Sequence, residues 1–274
     1  MNFVLPAALA AVVLAGLYVG QAVVNPEVGR RRQTATIRNS LAMLALILSA
    51  ELVVVVTTAL RARSVGETSV LLHRPSSLDL ALSGLVLDLA TIFVLWLRMV
   101  RPGYLSWPDL GFDLARFWAQ AGEWIRLGIW AALMGKLAMI LIAVAIVNTL
   151  GILPNQSDLF AGAVVGPGWE FAVLMGVACV LAPITEELFF RGYVFKTLLG
   201  QRGSLVAYLF SAFLFAAVHL NPTVFPELFV LGLINGWLVQ RTGSVIPGIV
   251  GHSLNNLTSF ALLRWVLENR TIAI

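Results

Sequence analysis

The chain has 274 residues, 59% of them hydrophobic and 12% charged, with a mean hydropathy of +0.90. A water-soluble domain carries about 25% charged residues, so the composition excludes an ordinary soluble protein and puts much of the surface in lipid. The net charge of +4 does not mark a nucleic-acid partner: the basic residues stand between apolar runs, as membrane orientation requires, not on one polar face.

A helix needs about 20 apolar residues to cross a bilayer. Runs of that kind fall at 3–24, 39–60, 80–99, 128–150, 170–199, 203–219, 225–240 and 245–266. Only helices or closed barrels satisfy their backbone in lipid, and these runs are too long for barrel strands. The expected fold is all-α, a multi-pass transmembrane bundle of about eight helices. The last three runs are short and read as tilted, broken or partly buried in protein.

The first run, Phe3 to Val24, has no basic residue before it and is followed by Arg30, Arg31 and Arg32. That is the reverse of a secretory signal, so it reads as an uncleaved helix with its N-terminus outside. Twelve Lys and Arg residues fall after the first, third, fifth and seventh runs, against five on the other side: Arg61, Arg63, Arg74, Arg264 and Arg270. The bias predicts both termini outside.

Residues 104–126 differ in kind. Trp107-Pro108-Asp109 has the pattern of a helix start. Leu110, Leu114, Phe117, Trp118, Ala121, Trp124 and Ile125 then recur at helical spacing among Arg116, Glu123 and Arg126. The expectation is an amphipathic interfacial helix near 104–126, with a linker helix packed on the bundle as the plainer reading. Gly151 to Gly168 forms a Gly/Pro/Asn-containing loop. It divides the chain into 1–164, four helices of unassigned role, and 165–266, a core of four helices carrying the chemistry.

Ionisable groups inside membrane segments are costly, so each is a functional candidate. The densest cluster lies in Ala182-Pro183-Ile184-Thr185-Glu186-Glu187-Leu188-Phe189-Phe190-Arg191. Two adjacent glutamates point about 100° apart on a helix. Glu187 and Arg191 are four residues apart in the favourable ion-pair order. Glu186 is left on another face without a local partner, a placement that suits a general base; the bland reading puts both glutamates at the interface. His219 ends a helix, where a lone histidine is ordinarily structural. His252 and Asn256 project from one helix face, either as packing hydrogen bonds or as two donors to a developing oxyanion. At a rise of about 1.5 Å per residue, Glu186 and His219 both lie about 20–25 Å from the Gly200–Gly203 turn. They match in depth only if the helix bearing Glu186 continues to near Leu199. Pro183 is expected to kink that helix just before the glutamates.

Other polar residues read first as packing groups. Glu51 and Lys136 are both deep and are candidates to pair with each other, Asp88, Glu227 and Asn235 are open, and Cys179 reads as a small core residue.

Taken together, Glu186-Glu187-x-x-x-Arg191, Phe215-x-x-x-His219 and His252-x-x-x-Asn256 resemble, in this order, the three signature motifs of the CPBP family. That group includes type II CAAX prenyl endopeptidases, lysostaphin-resistance-like proteins and bacteriocin self-immunity proteins. Phe190-Arg191-Gly192 and the stretch Gly232 to Gly243 add to the resemblance, which covers about residues 165–265. It implies an intramembrane endopeptidase cutting a membrane-associated protein or peptide. Glu186 and His219 would activate the water, His252 and Asn256 would stabilise the oxyanion, and Glu187 and Arg191 would form a supporting ion pair. A glutamate mechanism without metal is expected; zinc, if bound, would draw on Glu186, His219 and His252. A bacterial cytoplasmic membrane is the expected location. The alternative within the family is a non-proteolytic protein that binds a partner or confers immunity to a bacteriocin. A transporter with a Glu/His proton relay lacks the paired broken helices or inverted repeat that would support it.

Overall fold

The computed structural model describes residues 76–150, 166–219 and 224–270, with Met43, Ala45, Val164 and Asn221 besides. The expected helices at 3–24 and 39–60 lie outside the described residues, apart from the helical positions Met43 and Ala45. Six helices follow: α1 Ser77–Val100 and α3 Gly168–Arg202, α2 Leu114–Leu150, α4 Ser204–Ala217, α5 Phe225–Thr242 and α6 Ile246–Arg270. No strand occurs among the described residues. Among the described residues, three helices are long and apolar enough to cross a membrane: Ser77–Val100, Leu114–Thr149 and Gly168–Arg202; Ser204–Ala217 is a shorter apolar helix. Trp118, Leu205 and Trp265 present large apolar surfaces outward, as lipid contact allows. The protein is an integral membrane protein with an all-α fold.

Local chemistry sets the helix starts. Ser76 and Asp79 form a capping box for α1: the Asp79 N–H donates to Ser76 Oγ and the Ser76 N–H to the Asp79 carboxylate, each at 3.1 Å. Ser106 and Asp109 make the same reciprocal pair, yet no long helix follows. Gly111 adopts φ +89, a left-handed conformation that breaks a right-handed helix. The continuous helix starts instead at Leu114, where Asp113 Oδ1 accepts the Arg116 N–H at 3.0 Å. The segment near 104–126 is therefore a capped turn followed by the first turns of α2. These are set off from the apolar length by a kink at Gln120 (φ −128, ψ 17).

The packing brackets the core from both sides. α1 and α3 run in the same direction, with Gly84 facing Val177 and Asp88 bonded to Thr185. α2 lies parallel to α6, where a Cβ on Gly128 would meet Val250 Cβ at 2.6 Å and one on Gly251 would meet the Gly128 carbonyl oxygen at 2.9 Å. Paired small residues let two helices approach this closely in a membrane, where packing rather than hydrophobicity drives association. α4 and α5 form an antiparallel pair over α3. The enclosed core holds Phe189, Tyr193, Phe195 and Phe215, all nearly inaccessible. At one end of the bundle Lys196 Nζ donates to the carbonyl oxygens of Asp109 (3.0 Å) and Gly243 (2.9 Å). Ser244 Oγ donates there to the Gly111 carbonyl at 2.8 Å, so the 106–111 turn closes that end.

Candidate active site

α3 is not a uniform helix. Two wider π-helical stretches, Val177–Leu181 and Glu187–Phe195, interrupt it. Proline lacks an N–H and its ring crowds the carbonyl four residues back. Pro183 stands two residues beyond the first wide stretch, which gives the ring space, and the helix runs on through Glu186 to Arg202. The second stretch begins at Glu187. Helices with i→i+5 bonding are rare and concentrate at functional sites; here nine residues adopt it, every one of them buried.

Glu187 is the centre of the polar interior. It is fully buried, and one oxygen, Oε1, gathers three partners: Arg191 Nη1 at 3.2 Å, Asn235 Nδ2 at 2.9 Å and His252 Nδ1 at 3.1 Å. The expected Glu187–Arg191 pair is present within α3. α5 supplies Asn235, which sequence had left as a packing residue, and α6 supplies His252. Gly248, one turn before His252, lets that helix come close: a Cβ there would lie 3.3 Å from Glu187 Oε2. The Arg191 guanidinium, itself fully buried, lies over the Phe215 ring with its carbon 4.1 Å from the centroid. Its charge is thus held by one carboxylate and one aromatic face.

Glu186 points elsewhere, as the angular argument required. Its Oε2 lies 3.7 Å from His252 Nε2. His252 therefore bridges the two glutamates, Nδ1 toward Glu187 and Nε2 toward Glu186. A carboxylate on Nδ1 fixes the imidazole orientation and leaves Nε2 to do chemistry. Asn256, one turn further along α6, donates from Nδ2 to the Ala178 carbonyl at 2.8 Å. An amide NH₂ carries two protons, so this bond uses one and leaves the other.

His219 lies just beyond the end of α4 and is exposed. Its Nδ1 is 2.8 Å from the Phe215 carbonyl oxygen. The Phe215 ring meets both imidazoles edge to face, with centroids 5.1 Å from His219 and 5.6 Å from His252. Phe215 thus touches Arg191 and both histidines.

Two charged groups from the N-terminal helices lie in the bundle interior, Asp88 buried and Lys136 partly buried. Asp88 on α1 accepts a hydrogen bond from Thr185 Oγ at 2.5 Å. Lys136 on α2 hydrogen-bonds Ser259 on α6 and lies within electrostatic reach of Glu227 on α5. Glu51, its candidate partner from sequence, lies outside the described residues. As for a metal, no three His, Cys, Asp or Glu side chains among the described residues are grouped to hold one.

These features define a class: a helical membrane protein whose interior holds a carboxylate–imidazole–carboxylate array within reach of an amide donor. Residues 168–258 match the family described as type II CAAX prenyl endopeptidase Rce1-like, so this stretch of the chain is similar to that family. It contains Glu186, Glu187, Arg191, His219, Asn235, His252 and Asn256; Asp88 and Lys136 lie outside it. The chain is also similar to UPF0177 protein YxdF of Lactococcus lactis subsp. lactis (strain IL1403), with 34% identity over 80 residues, 28% of this chain and 43% of that protein. It thus aligns with less than half of that relative. No solved structure matches.

Proposed function

We propose that the protein is an intramembrane endopeptidase that hydrolyses a peptide bond of a membrane-associated protein or peptide. The observation that carries this reading is the array Glu187–His252–Glu186, its first two members buried and Glu186 partly exposed, with His252 Nδ1 3.1 Å from Glu187 and Nε2 3.7 Å from Glu186. Peptide hydrolysis needs a base for water and donors for the oxyanion, and the array offers both.

In this mechanism Glu186 takes a proton from water as the oxygen attacks the scissile carbonyl. His252, oriented through Nδ1 by Glu187, donates from Nε2 to the oxygen that becomes negative. The second Asn256 N–H is the other donor. His219, exposed just beyond the end of α4, holds the water with Glu186. As the intermediate collapses, the proton on Glu186 passes to the departing amine, which restores the carboxylate. Glu187, Asn235 and Arg191 do not touch substrate; Asn235 and Arg191 hold Glu187, and Glu187 keeps His252 oriented. The domain is expected to work in a bacterial cytoplasmic membrane with both termini outside, and residues 1–164 are expected to supply four N-terminal helices of unassigned role.

The test is cleavage of a membrane-tethered reporter by the purified full-length protein in lipid vesicles. Glu186→Ala and His219→Ala should each abolish cleavage while leaving expression and unfolding temperature unchanged. Full cleavage by both variants would overturn the proposal.

A further inference from the structure

Asp88 is a costly residue that the mechanism above does not use. It sits on α1, only 4% exposed, opposite Thr185, which is fully buried. The Thr185 hydroxyl lies 2.5 Å from Asp88 Oδ1 and 3.0 Å from the Ala182 carbonyl oxygen. Asp88 Oδ2 has no hydrogen-bond partner among the described residues. A threonine that merely needed packing would be satisfied by its own helix through the Ala182 carbonyl. A carboxyl with an oxygen left over is more than helix association requires, and a buried unsatisfied oxygen calls for a reason.

The position of the contact supplies one. Thr185 immediately precedes Glu186, and the helix changes from α to π winding at Glu187. Glu186 keeps a helical backbone there (φ −68, ψ −44), so its aim is left to its rotamer and to the position of the helix segment that carries it. The bond to α1 ties down the last α-helical residue before Glu186 from a neighbouring helix. Gly84, one turn earlier on α1, lets the two helices approach, since a Cβ there would lie 3.1 Å from Val177 Cγ1.

We propose that Asp88, through Thr185, is a positioning residue that aims Glu186 at His252, so that α1 completes a site otherwise contained in the Rce1-like stretch. The inference rests on the hydrolase reading of Glu186 given above. Misplacing a reacting group by about 1 Å costs on the order of 100-fold in rate. Asp88→Ala and Thr185→Val should each lower kcat for the membrane-tethered reporter by about that factor, with KM little changed. The double variant should be no worse than either single one, because both break one contact. Asp88→Asn keeps an acceptor for the Thr185 hydroxyl and should recover most of the rate. Wild-type kcat in Asp88→Ala, or losses that multiply in the double variant, would overturn the proposal. A second readout is independent of cleavage. In a Cys179→Ser background, a water-soluble maleimide labels Glu186→Cys at a rate set by where that side chain points. Adding Asp88→Ala should change this rate, and adding Asp88→Asn should not. An unchanged rate with Asp88→Ala would overturn the positioning role even if the protein cleaves nothing, whereas a changed rate with no cleavage by the wild type would count against the hydrolase reading alone.

Discussion

Two polar clusters lie inside this bundle, and they are built differently. Around Glu187, three helices converge on a single carboxylate oxygen, all partners are buried, and Phe215 backs both the arginine and the histidine. Around Lys136, three helices also meet, but the partners are a hydroxyl on Ser259 and a carboxylate on Glu227 beyond ion-pair distance, and all three groups are only partly buried. Both contain charge at membrane depth, which alone marks a residue as a candidate. What separates them is convergence: one cluster orients an imidazole between two carboxylates, and the other ties helices together.

That contrast can be broken most severely at Arg191. Removing one partner of a buried ion pair leaves a lone charge and costs about 3–5 kcal/mol. Arg191→Met should lower stability by that amount in detergent unfolding and abolish reporter cleavage, because Glu187 then has no fixed countercharge. His252→Ala takes a donor from Glu187 and should cost about 1–3 kcal/mol of stability, and it should lower cleavage by about 100- to 1000-fold, the usual loss when an oxyanion donor is removed, read from kcat in vesicles. Asn235→Ala takes one of three donors from Glu187 and should cost about 1–3 kcal/mol, with a smaller loss of cleavage than His252→Ala. Lys136→Met removes an interhelical hydrogen bond of the kind worth about 0.6 kcal/mol in membranes. Its unfolding should shift little and its cleavage should stay at the wild-type rate. A large loss of cleavage there would erase the distinction between the two clusters.

The sequence carried the local half of this picture. Glu187 and Arg191 are four residues apart on one helix, so their pairing follows from spacing, as does the separation of Glu186 onto another face. The continuity of α3 past Glu186 could be required from depth arithmetic and is present. Asn235 and Asp88 stayed ambiguous because their meaning depends on which helix faces which, and neither has a partner nearby in sequence. The π-helical stretch left no sequence trace except Pro183 and the crowding of aromatic residues after it. The helix start expected at Trp107 is displaced to Leu114 because a positive-φ glycine outweighs the Ser106–Asp109 cap. Lys136 finds Ser259, 123 residues away, a contact set by the Gly128–Gly251 approach rather than by any local pattern.

The central claim is that Glu186, not merely some buried charge, activates water. The direct measurement is the cleavage rate of the membrane-tethered reporter by Glu186→Gln and Lys136→Met, purified and reconstituted side by side. The account predicts that Glu186→Gln folds normally and loses cleavage by about 100-fold or more, as removal of a general base does, while Lys136→Met cleaves like the wild type. Cleavage by Glu186→Gln at the rate of Lys136→Met would contradict it.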